Sequence, residues 1–183
     1  MRKMLLVFIM FGLCISFFLI VSQRNGTSFF TTRKTDIQKE FEKHNETLDK
    51  QYPDTPQQLI EINNAVMKNF YSKDMEQQFI DSYVQTIRRL YSEELLTSNS
   101  EEDQKAFLLA ELQQEDDKEK IILIASKIEE TTHLSEAYEA EVKVIHYTNK
   151  GDINRLYRVT NNSGEWKIDA WEDLKTESKT LEE

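Results

Sequence analysis

This sequence has little cysteine, and its basic residues are outnumbered by acidic ones. The single cysteine, Cys14, excludes a disulfide framework and a cysteine-based metal site. Lysine and arginine number 23 against 33 aspartate and glutamate residues, so the formal net charge is −10. Because nucleic-acid binding requires cations that neutralise phosphates, this balance argues against a nucleic-acid partner. With 183 residues the chain is also too short for a large multi-domain enzyme.

The sequence also lacks the motifs of familiar enzymes and metal sites. It has no internal repeat, no dinucleotide fingerprint and no serine in a nucleophile-elbow context. The acidic run Glu115–Asp117 lacks the glycine and the terminal glutamate of a calcium loop. His133 has only scattered glutamates around it, whereas a zinc site needs three or four convergent ligands. We therefore predict no catalytic residues, no metal site and no cofactor.

The longest apolar segment lies at the N-terminus. From Met4 to Val21 the chain reads MLLVFIMFGLCISFFLIV, and these 18 uncharged residues would span roughly 27 Å as a helix, close to the ~30 Å hydrocarbon core of a bilayer. We predict a transmembrane helix over residues 4–22, preceded by a cytoplasmic end of residues 1–3. A secretory apolar region is shorter, and the small-residue motif Gly26-Thr27-Ser28 lies far from the run. Secretion after cleavage is the alternative.

Arg2 and Lys3 predict the orientation of this segment. They adjoin the apolar run, and the positive-inside bias places the N-terminus in the cytoplasm. The acidic remainder would then lie outside and be repelled by anionic headgroups. The expected location is the cell membrane, with a single pass and an extracytoplasmic C-terminal domain.

Residues 23–54 are predicted to form a stalk. Their second half can form a helix, but only Ile37, Phe41 and Leu48 in it are aliphatic or aromatic. Such a thin apolar stripe is typical of a spacer helix or a weak self-pairing segment, and not of a core element.

The compact domain, predicted over residues 55–174, begins with helices. Thr55-Pro56-Gln57-Gln58 supplies an N-cap, a proline for the first helical position and a capping box. A second helix is predicted from about Asp74 to Tyr91, and Ser100 is predicted to cap a third. The apolar positions at helical spacing in the first two helices are Leu59, Ile62, Val66, Phe70, Phe79, Tyr83, Ile87 and Leu90.

Strand patterns replace helical ones after Asp117. Ile121–Ile128 is short, apolar and rich in β-branched residues, which predicts a strand, and Glu129–Ser135 is predicted as a turn or loop. The later predictions are a strand with Tyr138, Ala140, Val142 and Val144 on its buried face, a turn at Asn149–Asp152, a strand at Arg155–Thr160, a hairpin turn at Asn161–Gly164 and a strand at Glu165–Leu174. Helices followed by an antiparallel meander predict an α+β domain with helices on one face of the sheet. Residues 175–183 are expected to be a disordered acidic tail.

Short motifs give this chain a resemblance to known domains. The hairpin Gly164-x-Trp166-Lys167-Ile168 resembles the last hairpin of NTF2-like (cystatin-like) domains, in which a curved antiparallel sheet and its helices enclose a cone-shaped cleft. The anchor, the helix start Tyr52-Pro53-x-Thr55-Pro56 and the closing Trp166-Lys167-Ile168-x-x-Trp171 segment together resemble an uncharacterised family of membrane-anchored proteins from Clostridia-type bacteria. The resemblance implies a fold and a location, and it implies no activity.

Two residues are candidates for lining the cleft. His146 continues the buried phase of Val144 and could act as a general base if a carboxylate oriented it, but a histidine on the rim is the plainer interpretation. The nearest candidate carboxylate, Asp169, is out of phase with Ile168. Tyr83 belongs to an aromatic stripe on the helices that either lines an apolar pocket or is simply core.

Trp171 is the candidate for docking a partner. It breaks the alternation of Trp166 and Ile168, which predicts one indole on the outer face of the sheet. An exposed tryptophan there can anchor a protein partner. Alternatively, the stalk or the segment around Leu174 covers it.

Three hypotheses for the function follow. The leading one is a non-catalytic interaction or scaffold domain of the bacterial envelope, which is held by residues 4–22 and binds a protein partner or itself. The second is a small-ligand-binding domain or a cryptic enzyme that uses the cone cleft, and the third is a subunit of a conjugation or secretion complex. A binder or enzyme requires an open cleft with two or more converging buried polar groups, so the shape of the cleft discriminates between the first two.

Overall fold

The computed structural model describes residues 36–113, 120–135, 138–162 and 164–174. The chain divides into two units after Gln38, and the fold below is that of the second unit, Lys39–Glu183, together with the start of its first helix. The predicted anchor at residues 4–22 and the predicted tail at residues 175–183 lie outside the described residues. No helix within the described ranges combines the length and the apolar character needed to cross a membrane.

Helix α1, over residues 36–50, contributes to the core, although the sequence predicted a spacer there. Phe41 is 1% exposed, and Leu48 is buried as well. The Phe41 ring meets the Tyr83 ring edge-on, with 6.1 Å between their centroids. Because Phe41 and Leu48 lie two helical turns apart, they share one face, and this thin stripe is enough to attach the helix. The core therefore begins before residue 55.

Further helices follow α1 along the chain and precede the first strand. Thr55 caps the first of them by accepting a hydrogen bond from the Gln58 N–H at 3.2 Å, and Ser100 caps the last by accepting one from the Asp103 N–H at 3.1 Å. Both caps were predicted. The elements are α2 (Pro56–Phe70), a 3₁₀ helix (Gln77–Phe79), α3 (Ile80–Arg88), α4 (Glu93–Ser98) and α5 (Glu101–Leu112).

The helix predicted from Asp74 to Tyr91 is shorter than expected, with α3 ending at Arg88. The backbone just after α3 pairs with the sheet instead of continuing the helix. Ile168 donates its N–H to the Leu90 carbonyl at 2.7 Å and accepts from the Ser92 N–H at 2.9 Å. This pairing makes an isolated parallel bridge between Tyr91 and Ile168.

The described strands form one antiparallel sheet in the order β1-β2-β3-β4, which confirms the predicted α+β class. Glu129–Ser135 continues the first strand, although a turn or loop was predicted. A register shift between Ile128 and Glu130 makes Glu129 an extra residue in the strand, and the alternation of inward and outward side chains changes there. The strand therefore continues through the charged residues. Tyr138 precedes the second strand and is exposed, not buried. The strands are β1 (Leu123–Ser135), β2 (Glu139–Thr148), β3 (Gly151–Asn162) and β4 (Glu165–Leu174).

The core lies between the helices and one face of this sheet. Helix α2 contacts β1, β2 and β4, and α3 contacts α2 and α5. Alternate residues of the strands supply the sheet side, as the period of two requires. The fully buried apolar residues include Leu59, Ile60, Val66, Val84, Ile87, Ala140, Val142, Val144, Val159 and Ile168.

Candidate functional site

A cavity of about 530 Å³ lies between the helices and strands β3 and β4. This volume is within the range of roughly 300–1,000 Å³ that is usual for small-molecule sites. Aromatic side chains form much of its wall, and polar side chains from α2, α5 and β3 reach it. The aromatic residues that line it are Tyr71, Tyr83, Tyr91, Phe107, Tyr157 and Trp171.

A β-bulge in β4 turns Trp171 towards this cavity. Val159 pairs with Ile168 but Arg158 pairs with Ala170, so Asp169 is an extra residue in the strand. Beyond the bulge Trp171 is opposite Tyr157, and opposed residues share a face of the sheet. Tyr157 is buried under the helices. The indole of Trp171 therefore lies on the helix side, which corrects the prediction of an outer position.

Ring contacts within the aromatic wall and with the core beside it hold the wall in place. Trp171 stacks at a tilt against Tyr91, with 5.8 Å between ring centroids. Tyr83 contacts the Phe70 ring at 4.6 Å and also meets Phe41, so it is both a core residue and part of the wall. Trp171 itself is 39% exposed, which leaves part of the indole free at the mouth of the cavity.

Beneath the cavity, hydrogen bonds between polar side chains connect helix α2 and three of the strands. The Tyr157 hydroxyl accepts a hydrogen bond from Asn63 Nδ2 at 3.3 Å and lies 3.1 Å from His146 Nε2. The other ring nitrogen, His146 Nδ1, is 2.8 Å from Ser126 Oγ. Both nitrogens of the imidazole are thus occupied. Asp169 is not brought to the ring, because it accepts a hydrogen bond from Ser92 Oγ at 2.8 Å instead.

The environment of His146 keeps its ring neutral. The side chain is 2% exposed, and burial lowers its pKa to about 4, with a further lowering from the positive charge of Arg155 that Asp173 partly offsets. His146 does not line the large cavity, but it does line a neighbouring one of about 160 Å³. The structure therefore places this predicted cleft residue beside the site and not in it.

Asp103, Glu111 and Arg155 are the charged residues among those that line the large cavity, and the last two are in contrasting states. Arg155 forms a bidentate ion pair with Asp173, in which Nε lies 2.6 Å from Oδ1 and a terminal nitrogen lies 3.0 Å from Oδ2. Glu111 has no such partner among the described residues. Its Oε2 is buried and accepts no hydrogen bond from the described residues. Burial raises the pKa of Glu111, and hydrogen bonding from Tyr71 lowers it in part.

Glu111 and Tyr71 also border a second cavity of about 410 Å³, on the side of Met75 and Ile122. His133 lies apart from both cavities in the described structure, where its ring is 6.2 Å from that of Trp166. Among the described residues, no three histidine, cysteine, aspartate or glutamate side chains are grouped to hold a metal ion.

Sequence reasoning missed Arg155, Asn63 and Glu111 as site residues. A signal existed for Arg155, because it alternates with the buried residues Tyr157 and Val159 on the predicted strand. Asn63 is a polar residue on the buried side of α2. Glu111 is one acid among several on α5, and no local pattern distinguishes it.

The fold and the site together define a small α+β domain with an aromatic cavity. The chain belongs to a family described as a domain of unknown function (DUF6715), whose sequence model matches residues 1–171. No curated protein and no solved structure matches the chain.

Proposed function

We propose that this domain binds a small molecule in the 530 Å³ cavity, outside the cell membrane and without transforming it. The supporting observation is that aromatic rings and the polar groups of Asn63, Glu111 and Arg155 converge on one open cavity. Apolar walls with a few placed polar groups are the usual composition of a ligand site. This cavity therefore favours ligand binding over the scaffold hypothesis.

The protonation states of the tyrosines and of His146 favour a binding role for these residues over a catalytic one. Burial raises the pKa of Tyr71, Tyr91 and Tyr157, so these hydroxyls stay protonated near neutral pH. His146 is neutral and uses both nitrogens in hydrogen bonds. A general base needs a pKa near the working pH and a free acceptor atom. These groups instead supply hydrogen bonds and ring faces.

We also propose an NTF2-like fold and attachment to the cell membrane through residues 4–22. Helices that precede an antiparallel meander and enclose a cavity with it support the fold proposal. For the anchor, the support is the length of the uncharged run and its inclusion in the family match. The proposed resemblance to membrane-anchored proteins of Clostridia-type bacteria rests on the sequence motifs alone.

A protein partner is the second candidate function. Phe107 is 69% exposed and Trp171 is 39% exposed, and both line the cavity. An apolar side chain of a partner could dock there. In that case Trp171→Ala would weaken co-purification of the partner and leave the unfolding transition unchanged. Partners encoded with conjugation or secretion components would support the third hypothesis.

Fluorescence of Trp171 provides the test of ligand binding. The chain has two tryptophans, so a Trp166→Phe background makes Trp171 the sole reporter. The full chain in lipid nanodiscs would be titrated with phenethylamine, phenethyl alcohol and phenylpropanoate, against empty nanodiscs. We expect a saturable change in Trp171 emission for at least one of the three probes.

Two glutamine-to-phenylalanine variants make the test specific to the cavity. Gln104→Phe narrows the cavity, whereas Gln78→Phe changes an exposed glutamine outside it. We expect Gln104→Phe to weaken binding by about tenfold or more, which is the effect of losing ~1.4 kcal/mol, and Gln78→Phe to leave it unchanged. Linear, unsaturable changes for all three probes, or equal binding by both variants, would refute the proposal.

A further inference from the structure

The charges in the 530 Å³ cavity are unequally compensated. Arg155 is committed to Asp173 through two hydrogen bonds. Asp103 pairs with the Ser100 hydroxyl at 2.7 Å and lies on the exposed side of α5. Glu111 has a buried oxygen, Oε2, that accepts nothing from the described residues. Among the described residues that line the cavity, the acids Asp103 and Glu111 thus outnumber the one cation, Arg155, which is already paired.

A buried carboxylate oxygen without a donor is costly, and a ligand that donates to it removes the cost. The penalty for such an unsatisfied group is larger when the group is charged. A charged donor forms the stronger hydrogen bond with a carboxylate. An anionic ligand gains nothing at Glu111, and it would have to compete with Asp173 for Arg155.

The aromatic wall of the cavity also favours a cationic ligand over an anionic one. Ring faces carry partial negative charge and attract a cation within about 6 Å of the ring centroid. The Tyr91 and Trp171 pair and the Tyr71 ring line the cavity together with Glu111. Ring faces and a carboxylate therefore act in the same direction on an ammonium group.

We infer that the ligand of this cavity is an amine that is protonated at neutral pH and carries an aromatic or apolar body, with its ammonium group donating to the Glu111 carboxylate and its body packed among Tyr91, Tyr157 and Trp171. This inference rests on the proposed function. It adds the chemical class of the ligand and names Glu111 as the residue that determines specificity.

The three probes of the binding test differ chiefly in the charge of their polar group. Phenethylamine is a cation, phenethyl alcohol is neutral and phenylpropanoate is an anion. In the full chain with Trp166→Phe we expect phenethylamine to bind at least about tenfold more tightly than phenethyl alcohol, since a hydrogen bond to a charged group contributes about 1.5–3 kcal/mol. Phenylpropanoate should bind most weakly.

Glu111→Gln is the decisive variant, because it removes the charge and keeps the size of the side chain. We expect it to abolish the preference for phenethylamine and to change the affinity for phenethyl alcohol by less than about threefold. Glu102→Gln is the matched control on the exposed face of the same helix, and it should retain the preference. Urea unfolding of both variants checks that they fold.

The outcomes separate this inference from the proposed function. Equal affinity for the three probes, a preference for phenylpropanoate, or a preference for phenethylamine that survives in Glu111→Gln would overturn the inference and leave ligand binding intact. The comparison of probes on the unsubstituted Glu111 chain decides the first two, even if Glu111→Gln fails to fold. Failure of every probe to bind would instead overturn the proposed function.

Discussion

At residue scale, the burial of His146 couples the stability of the domain to pH. The imidazole is enclosed between Ser126 and Tyr157, with a hydrogen bond to each. Its folded-state pKa of about 4 lies below its ordinary value of 6.5. Between these two values the unfolded chain binds a proton that the folded chain excludes. The free energy of unfolding therefore falls as the pH decreases through this interval.

The expected loss from His146 alone is about 2 kcal/mol on going from about pH 7 to about pH 5. Urea unfolding at both pH values measures it. His146→Gln should lose less stability on acidification than the wild type by that amount, whatever its stability at neutral pH. His133→Gln, which changes an exposed ring, is the control and should follow the wild type. An identical loss in His146→Gln and the wild type would contradict the prediction.

The inward direction of His146 on its strand could be predicted from the sequence, but the residues that surround its ring could not. Alternation with Val142 and Val144 is a local pattern, so the inward direction could be inferred. Its partners Ser126 and Tyr157 come from different strands, and Asn63 reaches Tyr157 from a helix. Only the register between strands, which no single segment encodes, brings these groups together. Glu111 was unpredictable for the same reason, because its significance depends on what lies opposite it.

At element scale, the bulge at Asp169 explains why the period of two failed for Trp171. The period holds on each side of Asp169, from Trp166 to Ile168 and again from Trp171 to Asp173, but not across the extra residue. The Asp169 carboxylate accepts a hydrogen bond from Ser92, the N-cap of α4, so a distant loop stabilises the bulge. A contact of that kind has no signature in the strand itself.

Helix α1 gives the prediction at this scale. Phe41→Ala should destabilise the domain by about 3–5 kcal/mol, because it removes a buried aromatic ring and leaves a cavity. Phe107→Ala, which truncates a largely exposed phenylalanine, should cost less than about 1 kcal/mol. Urea unfolding of the two variants measures the difference. If Phe41→Ala were as mild as Phe107→Ala, α1 would be the spacer that its thin apolar stripe suggested.

At the scale of the whole molecule, the chain joins an apolar N-terminal run to an acidic remainder. The α+β order was predictable, because each helix and most strands have a local period and local caps. The cavity was not, since it arises where α2, α3 and α5 meet β3 and β4.

The proposed anchor gives a prediction about the full chain in cells. The chain should sediment with membranes and resist carbonate extraction, whereas a variant without residues 4–22 should stay in the supernatant. External protease on spheroplasts should digest the C-terminal domain, because the positive-inside bias predicts an outer location for it. A protected domain would refute the orientation, and N-terminal sequencing that starts after Ser28 would establish cleavage and secretion instead.

The bridge between Tyr91 and Ile168 lowers the tendency of this protein to aggregate through its sheet at high concentration. Strand β4 is the last in the sheet, and an open last strand can recruit another chain as a template for fibres. Here the N–H and carbonyl of Ile168 are already paired with Leu90 and Ser92 of the same chain. A foreign strand would have to displace that segment before it could add at this position. The loop after α3 thereby protects the edge strand at Ile168 against strand addition by another copy of the chain.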